Sequence, residues 1–571
     1  MKGLLFFSGK YTPFQFYGPW TQKMPLAYLI PGAAQWLFEP GLRTGRYLSI
    51  FFSIIMLIGL WIVARRLGGR WWAALAIWAV ALNPANIMNY SQAITQSIIA
   101  CMVVWVLVFI ISANRSILQT TIGAILAALT VLTRQNLLPF LVFSIAYIFW
   151  EHKRKHGWIA LFAAALTLVI WHAVYWPNIL SIWTLLPSKI TPFLDQWRTN
   201  FIAEPNQLSQ FSPISFLSAV FEGIRYNFFG TIGLVCSLLL WPARKYWKKE
   251  ANFKISIFLA ISILSLTLAH SWASFGLGYG YFTFSRYLSF FNYLGIILVI
   301  VSFPSWSHSK SMFRKIGSVL LVLVTTTGVA FSAYKEFESL LDIQVPRIRN
   351  MQILPGSTEL WRLLENKFVW GYDFIKLLLP ACVGFLFGVL LIFTLIIILK
   401  ITKTSSKDTS LPYYALSSIL IFGFIFSPTK IIAGGIYPNI CDFDVIRANE
   451  SVGHHIERVI PPGSVVFWHS NNSPTPLLYL QDIEIFPAQL DQDFTYLNDG
   501  DTDTLSKYGY WNFELSEKWK NRADILLITD NFVPYYSEGS DFSGLFMEHE
   551  PFPQTIGCRD KSIIHIFEKI K

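Results

Sequence analysis

The sequence predicts a polytopic α-helical membrane protein carrying a small external α/β domain at its C-terminus. Three observations predict it. Of 571 residues, 54% are hydrophobic and only 14% charged, too apolar for an ordinary soluble chain. Apolar runs of bilayer-spanning length recur up to about residue 427, and beyond it the pattern changes to short β-branched and aromatic segments between turn residues. Aromatic content of 16%, including 22 Trp, suits a chain with many membrane-water boundaries, where Trp and Tyr rings settle.

Spans are expected near 46–66, 70–86, 93–112, 116–133, 137–151, 157–176, 226–242, 254–274, 285–303, 314–332, 374–400 and 411–427, about twelve in all. Lys and Arg set their direction, because basic residues are retained on the cytoplasmic side. One alternating set of loops holds eighteen of them, among them Arg65, Arg66, Arg70, Arg115, Lys153 and Lys254. The opposite short loops hold little beyond Arg134 and Arg286. The basic excess behind the +11 net charge is therefore a topology signal spread over loops, and nucleic acid is not an expected partner.

This orientation places residues 1–45, 177–225, 333–373 and 428–571 outside the plasma membrane. The membrane domain is 1–427 and the external α/β domain is 428–571. Loop 177–225, with five prolines and the acids Asp195, Glu204 and Glu222, is expected to lie on the membrane surface as short helices. An external N-terminus with no preceding span leaves nothing to carry residues 1–45 across. Either that segment crosses unaided or a helix lies upstream of Met1.

In the last 140 or so residues, VIRANESVGHHIERVI (445–460) has helical spacing closed by Pro461, Pro462 and Gly463. SVVFWH (464–469), LLYL (477–480), IEIFP (483–487), ADILLIT (523–529) and SIIHIFEKI (562–570) read as strands. No glycine-rich phosphate loop follows any of them. Asp499, Asp501 and Asp503 imitate the start of a calcium loop, but Thr504 and Tyr510 stand where that loop needs Gly and Glu. His454 and His455 are adjacent, so a helix points their rings apart. No metal or cofactor is expected. Of five cysteines, Cys101, Cys236 and Cys382 lie in apolar runs, while Cys441 and Cys558 flank the polar region and are candidates for a disulfide.

The stretch FFSGKYTPFQFYGPWTQKMPLAYLIPG, followed by LRTGRYLSI and ARRLGGRWWAALAIWAVALNP, resembles the first external loop, interfacial helix and following spans of GT-C membrane glycosyltransferases, the superfamily of protein O-mannosyltransferases and lipid A aminoarabinose transferases. The resemblance covers roughly residues 1–150 and reappears at FTFSRYLSFFNYLGII (282–297). It implies transfer of a sugar from a polyprenyl-phosphate carrier to a lipid, glycan or protein acceptor at the outer face, with membrane lipids around the site. Lys23 in WTQKMPL matches the Lys of the family's Lys-Pro-Pro segment, Met24 replacing the first proline, and Arg286 matches the second basic position. Both are implied donor-phosphate contacts. As plain interfacial cations both would instead snorkel to headgroups.

Arg134 and Gln135 in TRQN, with Gln92 and Gln96 in the loop after the second span, are candidates for the substrate groove. The family's catalytic carboxylate precedes a segment like MKGLLFFSGKY, so the resemblance implies an acid upstream of Met1 and a chain whose start is read too late, with thirteen spans in full. Within the sequence Glu39 is a weak candidate, as are Asp195 and Glu204 from the long loop. Two alternatives stay open: a non-catalytic lipid- or glycan-binding protein on the same fold, and a transporter or flippase. The latter is disfavoured because the spans hold few ionisable residues.

Overall fold

The computed structural model describes residues 2–9, 24–183, 191–197, 227–247, 249–274, 286–308, 311–349, 351–354, 356–402, 441, 443–470, 472–480, 482–485, 502–503, 512–535, 544–557 and 561–570. It is mostly helical, with one small mixed sheet near the C-terminus.

The chain opens on a short α1 (Lys2–Phe7) packed across α2 (Pro25–Leu37). Gly3 and Gly32 meet where these helices cross, and the backbones approach so closely that neither position has room for a Cβ. Next come α3 (Leu42–Gly68), α4 (Arg70–Ala81), α5 (Pro84–Ser91), α6 (Gln96–Ile110), α7 (Ile117–Thr133), α8 (Leu138–Glu151) and α9 (Arg154–Val174). Further along the chain come α10 (Phe228–Leu239), α11 (Glu250–Ser274), α12 (Arg286–Ser289), α13 (Tyr293–Ser302), α14 (Ser311–Leu341), α15 (Leu360–Phe368) and α16 (Tyr372–Thr402).

Eleven of the twelve expected apolar runs coincide with described helices. The twelfth, 411–427, lies outside the described residues. Among the described residues, four helices are long and apolar enough to cross a bilayer: Leu42–Gly68, Arg154–Val174, Glu250–His270 and Tyr372–Thr394. A fifth is added if α4 and α5, bent by 73°, form one span. Five more apolar helices are shorter, such as Gln96–Ile110 and Ile117–Thr133, so twelve full spans are not established. The bend after α4 corrects the single run expected over 70–86. Asn83 accepts hydrogen bonds from the backbone N–H groups of Ala85 and Asn86, and Pro84 supplies a helix-start φ, so a new helix begins there. These helices give the protein a membrane location.

Internal contacts gather the basic loops at one end. Arg66 Nη1 donates to the carbonyls of Val108 and Ile111 (2.9 and 3.0 Å), and His152 Nε2 lies 3.0 Å from the Ile110 carbonyl. Lys254 pairs with the buried Glu151 carboxylate (3.2 Å) and donates to the Trp150 carbonyl. At the opposite end, Tyr90 Oη donates to the Ser289 carbonyl (2.6 Å), tying α5 to α12.

Between α14 and α16 a two-stranded hairpin, β1 (Arg347–Arg349) and β2 (Gln352–Leu354), precedes α15. Near the C-terminus, α17 (Val445–Val459), β3 (Ser464–His469), β4 (Ile483–Ile485), α18 (Phe513–Arg522), β5 (Ile525–Thr529), β6 (Phe546–Glu548) and β7 (Ile564–Lys569) build a sheet of order β4-β3-β5-β7-β6. β3 is parallel to β4 and β5, while β7 is antiparallel to β5 and β6. Side chains alternate across it: Ile525 and Leu527 face Val452 and Ile456 of α17, whereas Leu526 and Ile528 face Leu515 and Trp519 of α18. LLYL (477–480), expected as a strand, is instead drawn into a 3-10 helix over Thr475–Tyr479, whose start Pro476 favours through its fixed φ. The short edge strand β6 was not expected.

The α/β unit is packed onto the start of the chain. Leu5, Tyr28 and Leu29 share one buried apolar cluster with Val452, Ile456, Leu477 and Leu480. Arg43 adds a two-pronged ion pair to Glu450, Nε–Oε1 2.9 Å and Nη2–Oε2 3.0 Å.

Candidate functional site

Where the α/β unit meets the helices lies a cavity of about 620 Å³. One wall comes from α2, the first turns of α3 and residues 92–98. The other comes from α17, residues 472–478 and the segment around Gly557.

The turn from α2 into α3 sets the first wall. Gln35, buried in the last turn of α2, uses both ends of its amide: Nε2 donates to the Gly41 carbonyl (2.9 Å) and Oε1 accepts from the Gly41 N–H (2.6 Å). Across the same glycine sits the Tyr479 ring, whose Oη would lie 2.9 Å from a Cβ, and the Leu42 N–H points to that hydroxyl (3.4 Å). One turn on, a Cβ at Gly45 would sit 2.8 Å from Ala93 Cβ, so α3 presses directly on residues 92–95. Arg46, next in sequence, is thereby delivered to the cavity beside Gln92.

Arg46 is the one charged residue among the described lining residues. Its Nε is buried, and among the described residues it has no hydrogen-bond partner and the side chain no ion pair. A buried guanidinium N–H left unmade costs about 1–3 kcal/mol, so the arrangement favours an anion that supplies the missing acceptor. The Gln92 amide also lines the cavity without a partner among the described residues, and Asn449, Ser473 and Thr475 face them from the α/β unit.

A second cationic cluster stands at the same end of the helices, beyond α5. Arg134, just past α7, stacks over Tyr287 and Phe290 (5.4 and 5.2 Å to the centroids). Arg286, exposed at the start of α12, lies over Tyr287 at 4.9 Å and donates to its hydroxyl (3.0 Å). Two of the expected basic residues thus share one aromatic ring. Beneath them, His270 Nδ1 donates to the Leu266 carbonyl (2.7 Å) and Nε2 accepts from Asn136 Nδ2 (2.8 Å). Both ring nitrogens are therefore used in positioning.

Of the other sequence candidates, Lys23 lies outside the described residues, as do Glu204 and Cys558. Gln92 lines the cavity, whereas Gln96 is buried at the first position of α6 and is not part of the lining. Gln135 is half-buried beside Arg134, with Oε1 lacking a partner. Glu39 is exposed on the α2–α3 turn, outside the cavity, and Asp195 belongs to a 3-10 turn over Pro192–Trp197. Cys441 is disulfide-bonded and lines the cavity, while Cys101, Cys236 and Cys382 are free. His454 pairs with Glu457 and His455 stacks on Phe552, so the adjacent rings diverge as expected. Among the described residues no group of three or more His, Cys, Asp or Glu is placed to hold a metal.

Arg46 and Asn449 were not singled out from sequence. The signal for Arg46 was only a cation at the start of the span expected over 46–66, in LRTGRYLSI.

No family model matches the chain, and no curated protein matches it. Among solved structures it is similar to ArnT from Cupriavidus metallidurans bound to undecaprenyl phosphate, at 13% identity over 99% of this chain and 92% of that one, with a TM-score of 0.44. The apo state of the same protein gives 13% identity, 99% and 91% coverage, and 0.45. The Archaeoglobus fulgidus oligosaccharyltransferase in the apo form gives 12% identity, 94% and 66% coverage, and 0.37. At such identities and TM-scores, the chemistry of the site is read from its own residues.

Proposed function

We propose that the protein is a membrane glycosyltransferase that takes a sugar from a polyprenyl-phosphate carrier and gives it to a lipid, glycan or protein acceptor at the outer face of the membrane. The observation that carries this reading is Arg46, whose buried Nε has no acceptor among the described residues, in a cavity roofed by the α/β unit at one end of the bundle. A lipid carrier keeps its chain among the helices and brings its phosphate to that depth. Gathering of Arg66, Arg115 and Lys254 at the opposite end supports the outward placement, by retention of basic loops in the cytoplasm. The undecaprenyl phosphate named for the C. metallidurans protein is a sugar-free carrier of the polyprenyl-phosphate class proposed here.

In the reaction an acceptor oxygen bonds to the anomeric carbon as the bond from that carbon to the carrier phosphate oxygen breaks. The electron pair leaves on the phosphate, and the acceptor proton passes to a base. Arg46, with Arg286, Arg134 and Lys23 as further candidates, would hold the phosphate and stabilise the charge it gains on leaving. The same cations would bind the free carrier, so part of their effect falls on affinity and part on rate. The described residues lining the cavity include no acid. That observation favours one other reading, a protein that binds the glycosylated carrier without transfer.

Full-length protein in lipid nanodiscs, given radiolabelled polyprenyl-phosphate sugar and a crude envelope acceptor fraction, separates the two. Label moving to acceptor with release of carrier phosphate supports transfer. Saturable carrier binding without turnover supports the binding reading, and absence of both removes the function proposed.

A further inference from the structure

The cavity has two chemically unlike walls. The membrane wall carries the cation Arg46 with Gln92 beside it. The wall from the α/β unit offers neutral polar groups. Asn449 Nδ2 donates to the Val445 carbonyl within its own helix (2.8 Å), which leaves Oδ1 as an acceptor with no partner among the described residues. Asn449 is 6% exposed, so this is a sheltered acceptor rather than a solvated surface amide. Beside it, the hydroxyls of Ser473 and Thr475 lie 3.0 Å apart and can each give or take a hydrogen bond. A phosphate monoester fills only a fraction of 620 Å³, a volume within the range of about 300–1,000 Å³ usual for whole small-molecule sites.

We propose that this second wall is the glycosyl subsite: Asn449, Ser473 and Thr475 of the α/β unit, with Gln92 opposite, hydrogen-bond the hydroxyl groups of a sugar whose phosphate is held at Arg46. This rests on the polyprenyl-phosphate reading above and extends it, assigning sugar selection to the α/β unit together with Gln92, and lipid-phosphate capture to Arg46 of the membrane helices. Hydroxyl-rich ligands suit such a wall because each sugar OH donates to one partner and accepts from another. An amide acceptor, an amide with both functions and two hydroxyls answer that pattern. The placement is held by Tyr479, which packs on both Gly453 of α17 and Gly41 of the α2–α3 turn, so the two walls keep a fixed separation.

The test compares two lipids on the full-length protein in nanodiscs: sugar-free polyprenyl phosphate and the same lipid carrying a sugar. Asn449→Ala and Gln92→Ala are expected to bind the glycosylated lipid about 5- to 10-fold more weakly, the scale of one lost neutral hydrogen bond. They should bind the sugar-free lipid within about 2-fold of wild type, which also shows that the variants are folded. Arg46→Ala should weaken both lipids together. If Asn449→Ala and Gln92→Ala affect both lipids alike, or neither, while Arg46→Ala behaves as stated, the glycosyl subsite is wrong and the phosphate site stands. If wild type binds neither lipid, both fail.

Discussion

Replacing Arg46 by Met should make the ligand-free protein no less stable while weakening its hold on the carrier. The side chain keeps its length and apolar stem but loses a guanidinium whose Nε is buried without an acceptor. Leaving that donor unmade costs on the order of 1–3 kcal/mol, of which relaxation around Met returns a part, about 1 kcal/mol. For a chain of 571 residues that corresponds to a rise in thermal midpoint on the order of 1 °C. In the complex the sign reverses. A charge-assisted hydrogen bond to phosphate contributes about 1.5–3 kcal/mol, so carrier affinity should fall by about 10- to 150-fold. Thermal unfolding of the detergent-solubilised protein with and without polyprenyl phosphate reads both. The lipid should raise the midpoint of wild type and scarcely that of the variant. A variant clearly less stable than wild type without lipid, or equally stabilised by it, would refute the assignment of Arg46 as an uncompensated anion site.

Other consequences are independent of that residue. Gln35→Leu removes two hydrogen bonds to Gly41 and leaves its N–H and carbonyl unpaired, so a loss of about 2–3 kcal/mol is expected, read by chemical denaturation. Lys254→Met strands the Glu151 carboxylate, whose side chain is 5% exposed, and should cost about 3 kcal/mol; adding Glu151→Gln should restore most of it. In the α/β unit two histidines have opposite pH signatures. Burial, aided by the Lys520 charge, lowers the His469 pKa to about 4, so its neutral form is favoured on folding. Its contribution is full above about 6.5 and is lost as pH falls toward 4, and His469→Phe should flatten that limb of a thermal-shift profile. Desolvation acts to lower His565, but hydrogen bonds from its ring to Glu548 and Asp530 outweigh it and leave the pKa raised. Its contribution is full below about 6.5 and fades as pH climbs through the raised value, a loss that His565→Asn should remove. Peptide mapping under non-reducing conditions should find Cys441 joined to Cys558; any other partner for Cys441 overturns that pairing.

Much of the fold was legible because membrane helices announce themselves through length and apolarity, and a buried strand such as ILLIT through its β-branched run. What escaped was set by features that compete with hydropathy. The Asn83–Pro84 cap starts a new helix inside what reads as one apolar run, and Pro476 turns LLYL into a 3-10 helix. The site was half legible. Arg134 and Arg286 were marked as cations at helix ends, and the structure adds that both lie on Tyr287. Arg46 was hidden because a cation near a span's start looks the same whether it snorkels to headgroups or faces a cavity. Deciding between these needs the Gln35–Gly41 clamp and a wall built from residues some 400 positions later in the chain. Spacing along one helix carries no trace of such a partner.

The position of the carrier phosphate can be read with a photoreactive polyprenyl phosphate. After irradiation of the full-length protein in nanodiscs, proteolysis and mass spectrometry should find the headgroup attached within residues 25–49, 92–98 or 441–449, the segments around Arg46. Attachment instead within residues 244–253, at the opposite, basic end of the helices, would contradict the placement of the site and the function drawn from it.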